Sequence, residues 1–291
     1  MKKSIYTLLS LLSINMLSYS QSLTNHLKFD QGQILEISLQ VKNTISQQAM
    51  GQAIDFTVDA SGNHSYQVTN TTEANSTLHH SVNRITFSFD GMGQKKSFDS
   101  KEEKDINGQF GKSIKDLLDK KYDIIIDPFG NTLLSIPEKI QLTENDSRMA
   151  IISNMLKDVI DIVQPPQKGK ASFFKVLPEK EPVKGLSWTE SYSNESGKFD
   201  AAYVISDIND TTLIVDFAGN SITVSKAEMM GNETVTTMNN KSTGKIVLDR
   251  LTGIIREKTI NTESNGNTEA SFGTIPVTSK NTTIITVKPV L

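Results

Sequence analysis

Apolar and polar side chains alternate along most of this chain. Residues 33–41 show the pattern clearly, with apolar side chains at every second position: Leu35, Ile37, Leu39 and Val41. The alternation recurs at 54–58, 85–89, 213–217 and 283–287. A repeat of two residues is typical of strands with one apolar and one polar face, and hence of antiparallel sheet. We therefore predict a mainly β fold with minor α, built on a long, curved antiparallel sheet that resembles half a barrel.

Two stretches have the three- and four-residue spacing of helices instead. A short helix is predicted within 111–121, where three residues share one face: Ile114, Leu117 and Leu118. A long amphipathic helix is predicted over 143–163, with an apolar stripe made of Met149, Ile152, Leu156, Val159 and Val163. Because one face of this helix is apolar, we expect it to pack on the sheet.

Two segments share one hairpin pattern, at 124–134 and 246–255. Each has an aliphatic run, then Asp, a short turn, Gly and a second aliphatic pair. Asp favours the first turn position, and Gly supplies a positive φ. With Gly32 and Gly185 before each set of strands, the pattern indicates two related halves, at about 29–135 and 183–288. Helix 143–163 and the Pro-containing stretch 165–182 would join them, although similar hairpins can also arise without a repeat.

The first twenty residues have the layout of a secretory signal peptide. Lys2 and Lys3 are followed by an apolar stretch at 5–17 and by Ser18-Tyr19-Ser20. We expect cleavage before Gln21, which leaves 21–291 as a single β-rich domain in the periplasm or outside the cell. The apolar stretch is shorter than the roughly 20 residues of a spanning helix, and no transmembrane segment is expected in the mature chain. The sequence contains no Cys, so the protein is not expected to be a lipoprotein.

Composition and motifs give little support to catalysis. The formal net charge is −3, which argues against a nucleic-acid partner. His79 and His80 are adjacent, so on a strand they face opposite ways and cannot bind one metal together. The four histidines are therefore expected to be exposed, and no metal or cofactor is predicted. No nucleophile motif or phosphate-binding loop is present, and a hydrolase with an unrecognised carboxylate site is the least favoured hypothesis.

Several short motifs resemble those of a known family. They are Phe98-Asp99-Ser100, the five residues 127–131, Leu177-Pro178, and residues 182–188, which end in Trp188. Together they resemble a family of exported proteins from Bacteroidetes-type bacteria, catalogued as domain of unknown function 6263. The resemblance implies a periplasmic or secreted β protein and carries no activity with it.

Two hypotheses of different classes remain for the function. The first is a binding protein for an apolar or lipid-like ligand, held between the sheet and the long helix. Its lining would include aromatic residues of the apolar strand faces: Phe56, Phe87, Phe89, Trp188 and Phe217. The second is a structural or interaction protein of the cell envelope, with a filled core and an envelope protein as partner. As a single residue, Trp188 is better explained as a core anchor than as a ligand contact.

Overall fold

The computed structural model describes residues 25–49, 52–91, 93–108, 111–140, 156–194, 197–229, 232–271 and 273–290. The predicted signal peptide and residues 143–155 of the predicted long helix lie outside these ranges. In the described part there are twelve strands and three helices, in the order β1 (Ile34–Ala49), β2 (Gln52–Thr71), β3 (Ser76–Gly91), β4 (Gln94–Asp99), α1 (Glu103–Ile106), α2 (Gly111–Leu118), β5 (Lys121–Ile126), β6 (Thr132–Ile136), α3 (Lys157–Asp161), β7 (Ser187–Asn194), β8 (Gly197–Ile208), β9 (Thr212–Met229), β10 (Asn232–Asp249), β11 (Ile255–Ala270) and β12 (Gly273–Val290).

All twelve strands belong to one antiparallel sheet. Its order is β6-β5-β3-β2-β1-β12-β11-β10-β9-β8-β7, and β4 pairs with β3. The free side of β3 is shared, because β5 pairs with 76–81 and β4 pairs with 86–91. The central pair joins the first strand to the last, with Ile34 opposite Val290. The prediction of a mainly β, antiparallel fold is confirmed.

The alternating apolar residues lie on one side of the sheet, which we call the core face; the opposite side is the outer face. On β1 the core face carries Leu35, Ile37, Leu39 and Val41, all of them buried. The register carries this face through the whole sheet, because residues directly opposite in an antiparallel pair point to the same side. The outer face alternates with it and is mainly polar and exposed.

A short segment before β1 shows that the sheet is bent. The Leu27 amide donates to the Pro128 carbonyl in the β5–β6 turn, and the Lys28 amide donates to the Thr252 carbonyl in the β10–β11 turn. Five strand spacings separate β5 from β11, or about 24 Å in a flat sheet. Two adjacent residues reach both turns, so the sheet must curve until these turns lie close together.

Both hairpin turns form as predicted. Asp127 accepts hydrogen bonds from the amides of Phe129 and Asn131, and Asp249 accepts from the amides of Leu251 and Thr252. The glycine that ends each turn, Gly130 or Gly253, has a positive φ. The carboxylates therefore fix the turns from inside. The strands before residue 140 and those after residue 186 occupy opposite sides of the β1–β12 pair; their origin as a repeat stays a prediction.

The helices match the sequence only in part. α2 forms where it was predicted, with Ile114 and Leu117 buried. The prediction of one long helix over 143–163 is not supported, because in the described part of that stretch α3 has only five residues. After α3 the backbone hydrogen bonds join residues three apart, from Val163 to Ile160 and from Gln164 to Asp161. Pro165 also disfavours helical conformation at the residue before it.

The apolar stripe predicted for this stretch is nevertheless packed. Leu156, Val159 and Val163 are all buried in the core. Gly62 of β2 allows the close approach of α3, since a Cβ there would lie 2.7 Å from Cγ1 of Val159. This stretch therefore packs on the core face of the first half of the sheet.

Candidate functional site

Two groups of polar side chains lie on the core face, one in each half of the sheet. The first is a buried cluster of His64 and Tyr66 on β2, His80 on β3 and Tyr122 on β5. The Tyr122 hydroxyl donates to the Ile162 carbonyl at 3.0 Å and so accepts from the Tyr66 hydroxyl, 2.7 Å away. This chain of hydrogen bonds ties the sheet to the end of α3.

The two histidines of the cluster are held away from water. Nε2 of His80 lies 3.3 Å from Nδ1 of His64, and the His80 ring stacks on Tyr122 with centroids 4.3 Å apart. Burial lowers the pKa of His64 to about 4 and, with the charges of His64 and His79, lowers that of His80 to about 2. Burial also raises the pKa of Tyr66 and Tyr122. All four groups are therefore neutral at pH 7, and rings and helix fill the space around them.

The expectation that the histidines are exposed is wrong for His64 and His80. His79 and His80 do face opposite ways, with His79 on the outer face 2.7 Å from Asp123. The burial of His80 follows from the strand phase, because every second residue of this part of β3 is buried. The same alternation in β2 includes His64. The two-residue pattern therefore predicts that both histidines are buried, although histidine as a residue type is usually expected at the surface.

The second group lies on β7–β11. There the residues that face each other across neighbouring strands form rows on the core face, and adjacent rows differ in the side chains they carry. One cross-strand row consists of Ile285, Lys258, Ile246, Val215 and Ile205. The four aliphatic residues are at most 8% exposed. Lys258 is therefore a cation set into a buried apolar row.

The next row on the core face is aromatic where it crosses β9, β8 and β7. It consists of Ile260, Gly244, Phe217, Tyr203 and Trp188. Trp188 stacks on Tyr203 at 5.2 Å between centroids, and Tyr203 lies 5.8 Å from Phe217. These three rings pack against the core but stay part-exposed. The Phe217 ring lies over Gly244, where a Cβ would come within 2.3 Å of it.

Three polar groups border this aromatic row. Lys258 has no hydrogen bond or ion pair within the part of the chain that the structure describes, and burial lowers its pKa while the charge of Glu190 opposes that effect. Burial and a hydrogen bond to the Glu190 carboxylate raise the pKa of Tyr203 to about 12. Nε1 of Trp188 is buried and finds no acceptor among the described residues. Two donors near the row, on Lys258 and Trp188, therefore lack a partner among the described residues, and the Trp188 donor is itself buried.

The five aromatic residues predicted to line one cavity fall into two separate sets. Phe56, Phe87 and Phe89 lie on β2 and β3, whereas Trp188 and Phe217 lie on β7 and β9. Phe87 is buried against Phe98 with centroids 5.2 Å apart, and Phe56 lies 5.7 Å from Phe89. Local sequence patterns do not separate the two sets, because strand order depends on long-range pairing.

A groove of about 830 Å³ opens on the outer face over β1–β4 and β12. Of the five predicted aromatic residues, only Phe87 lies at its lining, and its open surface carries charged groups that include Lys42, Asp59, Arg84 and Glu102. Arg84 donates two hydrogen bonds to Asp99, which lowers the pKa of that carboxyl. The groove therefore mixes apolar lining with charged groups, some of them paired with each other, and it lies on the face opposite to the space that was expected.

Within the described ranges, no cluster of three or more His, Asp or Glu has the arrangement of a metal site. The described helices are all too short or too polar to cross a bilayer.

Comparison with known proteins supports the family resemblance over part of the chain. Residues 167–255 match the model of a family of unknown function (DUF6263). The match includes the motif that ends at Trp188 and confirms that resemblance, whereas Phe98-Asp99-Ser100 and 127–131 lie before it. The bacterial source that the resemblance implied stays a prediction. No curated protein matches the chain.

Solved structures offer only distant likenesses. One is lipovitellin, from a study of its lipid–protein interactions, with 10% identity and a TM-score of 0.46 over 90% of this chain and 25% of the lipovitellin chain. This chain therefore spans about a quarter of that protein. An outer-membrane channel from Pseudomonas putida F1 has 8% identity and a TM-score of 0.27, over 90% of this chain and 98% of its own. Such values carry no argument about function.

Proposed function

We propose that this protein binds an apolar or lipid-like ligand on the core face of β7–β11. The observation that carries the proposal is the aromatic row of Trp188, Tyr203 and Phe217, which continues a buried apolar face but remains part-exposed. Part-exposed aromatic walls with a few polar groups are typical of small-ligand sites. The bend of the sheet supports a half-barrel shape that would shelter such a ligand. The sequence has no nucleophile motif that would favour catalysis, and binding is the activity proposed.

The sole tryptophan of the chain gives a direct assay, because Trp188 is part of the proposed site. Dodecanol titrated into the purified protein should shift and saturate the Trp188 emission. Tyr203→Ala removes a stacked ring and should weaken binding about ten-fold, since an aromatic contact of this kind contributes roughly 1–2 kcal/mol. Val204→Ala, on the outer face of the same strand, is the matched control and should leave the affinity unchanged.

The assay also separates the alternatives. If Phe89→Ala weakens binding and Tyr203→Ala does not, the ligand lies on the other aromatic set. If dodecanol does not bind and native mass spectrometry finds no co-purified ligand, the binding proposal fails. The structural or interaction role in the cell envelope would then be the better hypothesis.

We further propose that the protein acts outside the cytoplasm, in the periplasm or the medium, after removal of residues 1–20. The motivation is the sequence of that segment alone. Mass spectrometry of the protein from its native host should give an amino terminus at or near Gln21, and an intact start at Met1 would contradict export by this route.

A further inference from the structure

We propose that the ligand is a long-chain carboxylate whose head group binds Lys258, an inference that rests on the proposed function. The aromatic row would hold its apolar body. The combination of one part-buried cation with an adjoining apolar wall matches a molecule with one anionic end and an otherwise apolar surface.

The position of Lys258 supports this assignment. Its neighbours across the strands, Ile246 and Ile285, are both buried and aliphatic. A lysine in such surroundings is unfavourable unless its ammonium group meets water or an anion. Lys258 is part-buried and keeps some accessible surface, and in this proposal its ammonium group faces the open part of the core face. Among the described residues its ammonium group has no hydrogen bond or ion pair, and the charge of Glu190 opposes the effect of burial only from a distance.

The neighbouring row provides the rest of the site. Gly244 and Ile260 form the neighbouring cross-strand pair on the core face. Each lies two residues from Ile246 or Lys258 on its own strand. Beyond them are Phe217 and Tyr203, so an apolar chain that starts at Lys258 would run against aromatic rings.

The charge balance favours a carboxylate over a phosphate. Lys258 is the single cation among the residues named in the two core-face rows. The carboxylate of Glu190, two residues from Trp188, already acts on it electrostatically. A carboxylate brings one negative charge, whereas a phosphate monoester brings between about 1.5 and 2. The second charge would lie near Glu190 without a cation to balance it. A monoanionic head group is therefore the better match.

The test compares dodecanoate, dodecanol and dodecyl phosphate by Trp188 emission at pH 7. The wild-type protein should bind dodecanoate 10- to 100-fold more tightly than dodecanol, as expected for a charge-assisted hydrogen bond away from water. Lys258→Met should abolish that preference without weakening dodecanol binding, and Lys258→Arg should restore part of it. Lys280→Met makes the same change at an exposed lysine of β12, paired with Glu263 on β11, and should keep the preference.

The outcomes distinguish the two proposals. If none of the three probes binds, the proposed function itself fails. If dodecanol and dodecanoate bind equally to the wild type, or if dodecyl phosphate binds most tightly, only the carboxylate assignment is overturned. If Lys258→Met weakens dodecanoate and dodecanol alike while the melting temperature is unchanged, Lys258 shapes the site without selecting the head group.

Discussion

Lowering the pH from 7 to 5 should destabilise this protein through His64 and His80. Both rings are buried and neutral, and their folded pKa values are about 4 and about 2, below the value of about 6.5 in an unfolded chain. Between these limits the unfolded chain binds protons that the folded protein does not. Stability therefore falls as the pH drops below 6.5, and for His64 the loss is complete near pH 4.

The size of the effect follows from the same values. Each pH unit in this window costs about 1.4 kcal/mol for each ring that stays neutral. From pH 6.5 to pH 5 the loss is about 2 kcal/mol per histidine, or about 4 kcal/mol for both. For a urea m value near 3 kcal/mol/M, the unfolding midpoint should drop by roughly 1 M or more.

Urea titrations at pH 7 and pH 5 measure this loss, and His80→Phe isolates one ring. The variant keeps an aromatic ring against Tyr122 and should lose stability at pH 7, because Nδ1 of His64 loses its partner. Its further loss at pH 5 should nevertheless be about half that of the wild type. Ser65→Ala changes the residue next to His64 on the outer face and should leave the pH dependence as it was. Equal losses for wild type and His80→Phe would refute the assignment of buried, neutral rings.

Two further predictions concern packing. Leu156→Asp buries an unpaired carboxylate and should lower stability by several kcal/mol. Val183→Asp, at a side chain that is 52% exposed, should change the melting temperature little. Similar melting curves for both variants would show that the stretch containing Leu156 is not packed. Gly62→Ala places a Cβ against Val159 of α3 and against Nε2 of His64. It should cost about 1–3 kcal/mol in urea unfolding, and an unchanged midpoint would show that both side chains can move away without cost.

The local parts of the fold were predictable because they depend on neighbouring residues. The two-residue alternation identified segments of β1, β2, β3, β9 and β12, and Asp127 and Asp249 identified the hairpin turns. A bulge interrupts the alternation, so the residues on its two sides no longer follow one two-residue pattern. β3 has such a register shift opposite Asn63 and His64. The sequence therefore predicts 85–89 correctly but cannot link that stretch to the buried residues before the bulge.

The site was harder to predict because it depends on which strands become neighbours. Phe217 was assigned to an apolar strand face and Trp188 was interpreted as a core anchor, yet nothing local places them in one row or separates them from Phe56. Lys258 was missed because a single cation in a strand usually lies on the outer face. Only the register, which places it between Ile246 and Ile285, shows that it belongs to the core face.

The pairing of β1 with β12 has a consequence for the order of events during synthesis. β1 emerges from the ribosome among the first strands and pairs at once with β2, but its other edge waits for β12, the last strand described. Contacts so far apart in sequence form slowly, and an unpaired strand edge is prone to association with other chains. The β1–β12 pair at the centre of the sheet can therefore form only after β12 has been synthesised, and until then the nascent chain needs a chaperone, or continued unfolding, to protect that edge.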